Sequence, residues 1–271
     1  MTKLDYFTQL SFEPITLSIG RIKKPTIREI SKLTFDKFSF FEFLVKMTPE
    51  DYYTKLMEKN GGIDKWEEMS FESQNKLSIY DCIIADKQLQ DMYIELLNFF
   101  FIEPVIYAEG FFIILKEGCE NINVENLNEE NICGLLAREN LSEVFCLIQQ
   151  ICGIYSEEDD VENLKFKNDF QKQWYMNMLK AKKEYQKNVT KKADSNMSLP
   201  NIISKVATLS PGVNFVTIQD YTLFQVIDSF GTLQNDKMFD INKTRVSVWG
   251  DEKKTFEFSL WYKNNYDNKK K

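Results

Sequence analysis

The sequence predicts a mainly α protein of α+β character: a helical, bundle-like domain with a small β-hairpin, a long charged helix and a C-terminal helical pair. Three observations carry that expectation. Gly (10) and Pro (6) are scarce in 271 residues, too few breakers for a turn-rich all-β fold. Apolar residues recur at steps of three and four along most of the chain, the period of a buried helix face. Helix-start signals are frequent: Thr26 with Glu29, Thr48-Pro49-Glu50-Asp51, Asp86, and Ser198 with Pro200.

Taken in order, residues 12–24 (FEPITLSIGRIKK) alternate apolar and polar at Ile15, Leu17, Ile19 and Ile22 with a slip at Gly20-Arg21. This reads as a short strand. Thr26 and Glu29 then have the spacing of a capping box, in which hydroxyl and carboxylate each satisfy an unpaired backbone N–H. In FDKFSFFEFL, residues 35–44, Phe35, Phe38, Phe41 and Leu44 fall three apart, and Phe40 and Phe43 widen that face. Such an aromatic face reads as core. Thr48 caps the next helix and Asn60-Gly61-Gly62 stops it. Further helices are expected near 72–85 and 87–101, the second capped by Asp86 and carrying Leu89, Met92, Tyr93, Leu96, Leu97 and Phe100 on one face.

Pro104 closes this helical run. VIYAEGFFIILK, residues 105–116, reads as a hairpin turning at Glu109-Gly110. Helices are expected around 128–138 and 141–153, with Asn140 between them as a cap. The acidic run Glu157-Glu158-Asp159-Asp160 marks a change of composition and sets the expected boundaries: 1–156, 157–198 and 199–271. In the middle region Phe166, Phe170, Trp174, Met178, Ala181, Tyr185 and Val189 make one narrow stripe at helical spacing. A helix of about 30 residues is roughly 45 Å long, so this one bridges two regions or packs on a partner.

The last region opens with the helix IISKVATL and breaks at Ser210-Pro211-Gly212. It resumes in a helix capped by Thr217, with Asp220 as the reciprocal acid and a buried face of Ile218, Tyr221, Phe224 (or Gln225) and Ile227, widened by Leu223, Phe230 and Leu233. RVSVWG, residues 245–250, alternates like a short strand or extended clip, and a polar tail ends the chain.

Composition excludes more chemistry than it suggests. There is no histidine, which removes the commonest general base and metal ligand. The five cysteines form no C-x-x-C pair and read as free thiols of a reducing cytosol. No G-x-G-x-x-G or phosphate-binding loop occurs, and the acidic run lacks the glycine and spaced oxygens of a Ca²⁺ loop. The sequence therefore reads as a protein without a cofactor and not as an enzyme. The N-terminus has no apolar core of signal-peptide length and no run reaches the length of a membrane span, so a cytoplasmic location is expected.

A formal net charge of −7 argues against non-specific contact with nucleic acid or an anionic membrane. The stretch from Glu162 to Lys192 is locally basic, with nine lysines against three acids, but its aromatics share one stripe, as packing requires. The C-terminal pair places Asp220, Asp228 and Asp236 where a DNA reader needs cations. What remains is an apolar surplus: the stripe, the C-terminal Trp249, Trp261 and Tyr262, and the aromatic N-terminal region exceed what one compact core obviously needs. Such a surplus marks protein–protein surfaces. The candidate contact residues are Phe166, Phe170, Trp174, Met178, Tyr185, Tyr221, Phe224, Trp249 and Trp261.

At LPNIISKVATLSPGVNFVTIQDYTLFQVIDSFGTLQ, then RVSVWG and SLWYKNN, and at the N-terminal ITLSIGRIKKPTIREISKL, the chain resembles tail-module proteins of tailed phages and prophages of low-GC Gram-positive bacteria. Many of these are considered tail assembly chaperones. The resemblance implies a non-enzymatic factor in the host cytoplasm that binds other tail proteins, namely the tape measure protein and the tail tube; a homo-oligomer is left open by the sequence. Two other readings stand beside it: a structural tail or connector protein of the virion, and an acidic phage-encoded inhibitor of a host protein.

Overall fold

Residues 3–119, 126–153, 198–251 and 256–262 are described, from a computed structural model of the full chain. They are mainly helical, with two small antiparallel sheets, and divide into two compact units. The described part of the N-terminal unit comprises residues 3–119, 126–153 and 219–228; that of the C-terminal unit comprises 198–218, 229–251 and 256–262.

The N-terminal unit begins with α1 (Tyr6–Leu10), capped by Asp5. Strands β1 (Ile15–Leu17) and β2 (Gly20–Ile22) follow as an antiparallel hairpin. The slip in the alternation is thus a turn between two strands and not an irregularity in one. Helix α2 (Ile27–Leu33) carries the expected Thr26–Glu29 capping box. Helix α3 (Phe35–Lys46) buries Phe38, Phe41, Leu44 and Val45. A short α4 (Pro49–Asp51), boxed by Thr48 and Asp51, runs into a π-turn. Gly61 then adopts the left-handed conformation that stops the run.

Three short helices come next: α5 (Gly62–Glu68), α6 (Phe71–Lys76) and α7 (Ile79–Ala85). The single helix expected over 72–85 is therefore two. Ser78 accepts the Asp81 N–H, and Asp81 reaches back to the Ser78 N–H, so a second N-cap interrupts the run. Asp86 caps α8 (Lys87–Phe100) by accepting from the Gln88 and Leu89 N–H groups.

Strands β3 (Val105–Ala108) and β4 (Phe111–Leu115) form the expected hairpin about Glu109-Gly110. Strand β5 (Ile132–Leu136) pairs with β4 on its other side, giving the order β3-β4-β5. This corrects the helix expected near 128–138, where a 3₁₀ turn (Glu129–Asn131) precedes β5. Pairing with β4 overrides local propensity there. Gly134 adds a reason specific to the strand: a Cβ at this position would lie 2.4 Å from the Ile19 Cα, so close passage of the β1–β2 turn requires glycine.

Helix α9 (Arg138–Ile151) closes this part of the unit, burying Leu141, Val144, Phe145, Ile148 and Ile151. Asn140 lies inside its first turn, where Oδ1 accepts the Ala137 N–H at 2.7 Å.

The core lies where α3, α8 and α9 meet the sheet. Phe38, Phe41, Tyr93, Leu96, Leu97, Phe100, Phe112 and Ile114 are all fully buried. Tyr93 stacks on Phe145 at 5.5 Å between ring centroids and donates its hydroxyl proton to the Leu44 carbonyl at 2.9 Å. An ion pair tethers the first hairpin: the Arg21 Nε–H donates to Glu103 Oε1 at 2.6 Å, and the Arg21 backbone N–H donates to Oε2 at 2.8 Å.

In the C-terminal unit, α10 (Leu199–Leu209) begins after Ser198 with Pro200 in its first turn. The break at Ser210-Pro211-Gly212 follows as expected. The next element is α11 (Leu223–Trp249), whose opening residues to Asp228 belong to the N-terminal unit. Two expectations are corrected here. Thr217 heads only a 3₁₀ turn (Thr217–Asp220). The cap of α11 is Thr222, which accepts the Gln225 N–H at 3.3 Å, while Gln225 Oε1 accepts the Thr222 N–H at 3.0 Å.

Residues 245–249 are helical, not a strand or clip. Val246 and Val248 alternate like a strand, but α11 propagates through them and stops at Gly250, a left-handed glycine whose N–H donates to the Val246 carbonyl at 2.9 Å.

Candidate protein-binding surface

The second half of α11 exposes several large apolar side chains. Met238, Ile241, Val248 and Trp249 are 57%, 60%, 64% and 78% exposed. At about 100° per residue these four positions fall within an arc of about 100°. They therefore share a single side of the helix as an apolar stripe in two pairs, Met238–Ile241 and Val248–Trp249, with the exposed Arg245 between them. Isolated exposed apolar residues are ordinary; four on one side of a helix are less so.

Next to the stripe is an aromatic cluster. Phe239 is buried, with Phe256 and Phe258 each 5.5 Å away between ring centroids and Trp261 at 6.4 Å. These contacts hold the short turn Phe258–Tyr262 against α11. They leave Trp261 itself 54% exposed. A groove of about 520 Å³ is lined by Leu209, Pro211, Leu233, Phe239, Phe258 and Trp261, together with Asp236, Lys237, Asp240 and Lys243. A second, of about 880 Å³, runs between α10 and α11 and is lined by Ile202, Leu209, Phe230, Leu233 and Met238 with Lys205 and Lys237. The apolar floors of both grooves, and the charges of both signs around the first, suit the packing of a protein segment better than the seating of a polyanion.

The candidate contact residues divide by location. Trp249 and Trp261 lie on this surface, exposed. Phe224 is buried and Tyr221 half-buried in the N-terminal unit. Phe224 packs edge-on to Tyr6 at 6.0 Å, and the Tyr221 carbonyl accepts the Ile27 N–H at 2.9 Å. Phe166, Phe170, Trp174, Met178 and Tyr185, with the whole expected helix 162–192 and the acidic run before it, lie outside the described residues.

Sequence reasoning missed Met238, Ile241 and Phe239. The i, i+3 spacing of Met238 and Ile241 was a signal, but it was hidden by dividing α11 into a helix and a strand.

Reactive groups elsewhere are accounted for by packing. All five cysteines are free. Burial pushes the Cys82 thiol up to about 11 and raises Cys152 well above the ordinary thiol value, so neither supplies a thiolate at neutral pH. Burial likewise pushes the Tyr80 hydroxyl up to about 12, and it donates to the Gly110 carbonyl at 2.5 Å. Among the described residues no group of three or more acidic or cysteine side chains is placed to hold a metal ion, and no helix is long and apolar enough to cross a membrane.

Residues 189–266 match the family model described as YomV second domain, a family encoded by phages and prophages. No curated protein and no solved structure matches the chain. Over its C-terminal segment, then, the chain is similar to phage-encoded proteins, and the matched residues contain the apolar stripe, both grooves and the aromatic cluster.

Proposed function

We propose that the chain is a non-enzymatic binding factor of phage tail morphogenesis, a chaperone that holds an apolar helix of the tape measure protein while tail tube subunits assemble. The observation that carries this reading is the stripe Met238–Ile241–Val248–Trp249 on α11. A helix laid along it would bury apolar side chains of both partners at helical spacing, and the neighbouring grooves would take the larger ones. The match to a phage-encoded family and the resemblance to tail-module proteins supply the setting. Chaperoning needs an apolar surface and no chemistry, in keeping with the absence of histidine.

Co-expression with the tape measure protein followed by size-exclusion chromatography tests this. Wild type should co-elute as a complex. Trp249→Ala should weaken the complex by about 30-fold, the size expected when an interface aromatic worth about 2 kcal/mol is lost. Ile241→Asp should abolish it. Co-elution that both variants leave intact would sink the reading.

A further inference from the structure

The matched segment 189–266 is not what the N-terminal unit ends before; residues 219–228, in its middle, are part of that unit. Thr26 and Thr222 form an isolated antiparallel bridge. The Ile27 N–H donates to the Tyr221 carbonyl at 2.9 Å and the Leu223 N–H donates to the Pro25 carbonyl at 3.1 Å.

Both bridged threonines are helix caps. Thr26 boxes with Glu29 to start α2, and Thr222 exchanges the equivalent pair of bonds with Gln225 to start α11. Two N-caps are thus joined through their backbones, and the donors that follow each cap, Ile27 N–H and Leu223 N–H, are satisfied by the opposite strand of chain.

Side chains extend the attachment. Arg28 donates to Asp220 Oδ1 from Nε at 3.0 Å and from Nη2 at 2.7 Å. The Gln225 amide donates to the Leu10 carbonyl at 2.8 Å, and the Tyr6 hydroxyl donates to Asp228 at 3.2 Å. Leu223, Phe224 and Val226 are buried.

We infer that residues 219–228 are a docking segment, held by an acceptor formed from residues 5–28, and that the segment 189–266 is not an autonomous module. The acceptor recognises a Thr-capped helix start carrying apolar residues at its first, second and fourth positions. Its occupant is this chain's own 219–228. A fragment limited to 189–266 bares Leu223, Phe224 and Val226, so partner capture by that fragment reports on the wrong surface. The inference is independent of the tape measure reading, because none of its contacts involves the stripe on residues 238–249.

The test uses the full chain with a specific protease site inserted between Ile154 and Tyr155, the sequence boundary between the two units. After cleavage the two pieces should co-elute under native conditions. Phe224→Asp should release the C-terminal piece, whereas Ile241→Asp should not. Because Phe224→Asp also threatens folding, the exposed ion pair gives a second arm. Arg28→Glu should speed dissociation several-fold, and Arg28→Glu combined with Asp220→Arg should restore the original rate. Separation of the unmutated pieces on cleavage overturns the inference, as does co-elution unaffected by both Phe224→Asp and Arg28→Glu.

Discussion

Two long helices of this chain use their apolar residues in opposite ways. In α8, Leu89, Tyr93, Leu96, Leu97 and Phe100 share one face and are all buried. In the second half of α11, Met238, Ile241, Val248 and Trp249 share one face and all lie more than half exposed. Both sets fall on one side of a helix, and the local physics of helix formation is alike. What differs is whether the described residues of the unit supply a second layer. In the N-terminal unit α3, α9 and the sheet close over α8. In the C-terminal unit the packing of Phe239 with Phe256, Phe258 and Trp261 covers one side of α11 and leaves the stripe bare. An amphipathic helix therefore states that an apolar face exists, not that it is core.

Substitutions should separate the two faces. The largest effect is expected in the N-terminal core: Phe41→Ala empties a fully buried aromatic site and should cost about 3–5 kcal/mol in urea unfolding. Next comes Glu103, whose side chain is 6% exposed beside Arg21. Burial works to raise this carboxyl, but the hydrogen bonds from the Arg21 side chain and backbone outweigh it and hold it below its usual range. A carboxyl lowered on folding adds stability at neutral pH that is lost as pH falls through the carboxylate range. Glu103→Gln should remove about 1.5 kcal/mol at pH 7, and the loss should shrink in unfolding curves taken towards pH 3–4.

Smaller still is Tyr93→Phe, which deletes the bond to the Leu44 carbonyl but keeps the stacked ring; about 1 kcal/mol is expected by the same unfolding measurement. The smallest effect belongs to the stripe. Ile241→Ser should change stability by no more than about 0.5 kcal/mol, as at any solvated position. A cost near that of Phe41→Ala would mean the stripe is core and would erase the contrast between the helices.

The residues explain why some of this was legible in the sequence. Thr26–Glu29, Thr48–Asp51 and Asp86 act within one turn, so their caps could be read directly. The hairpin at Glu109-Gly110 was equally local. Strand β5 was not legible, because what makes Ile132–Leu136 a strand is the free edge of β4 and the passage of Ile19 over Gly134. Val246 and Val248 misled for the opposite reason: their alternation is real, but a helix already under way passes through them.

The candidate surface was half legible. Trp249 and Trp261 stood out as bulky residues near a polar end, and both are exposed. Phe224 stood out equally and is buried, because its burial depends on Tyr6, 218 positions away in the chain.

Hydrogen–deuterium exchange of the full chain, with and without the tape measure protein, puts the two helices in one measurement. The account predicts slower exchange on binding across residues 238–249 and 256–262, and no change across 87–100. Protection confined to the N-terminal unit, or a complex that forms without protecting 238–249, would contradict it.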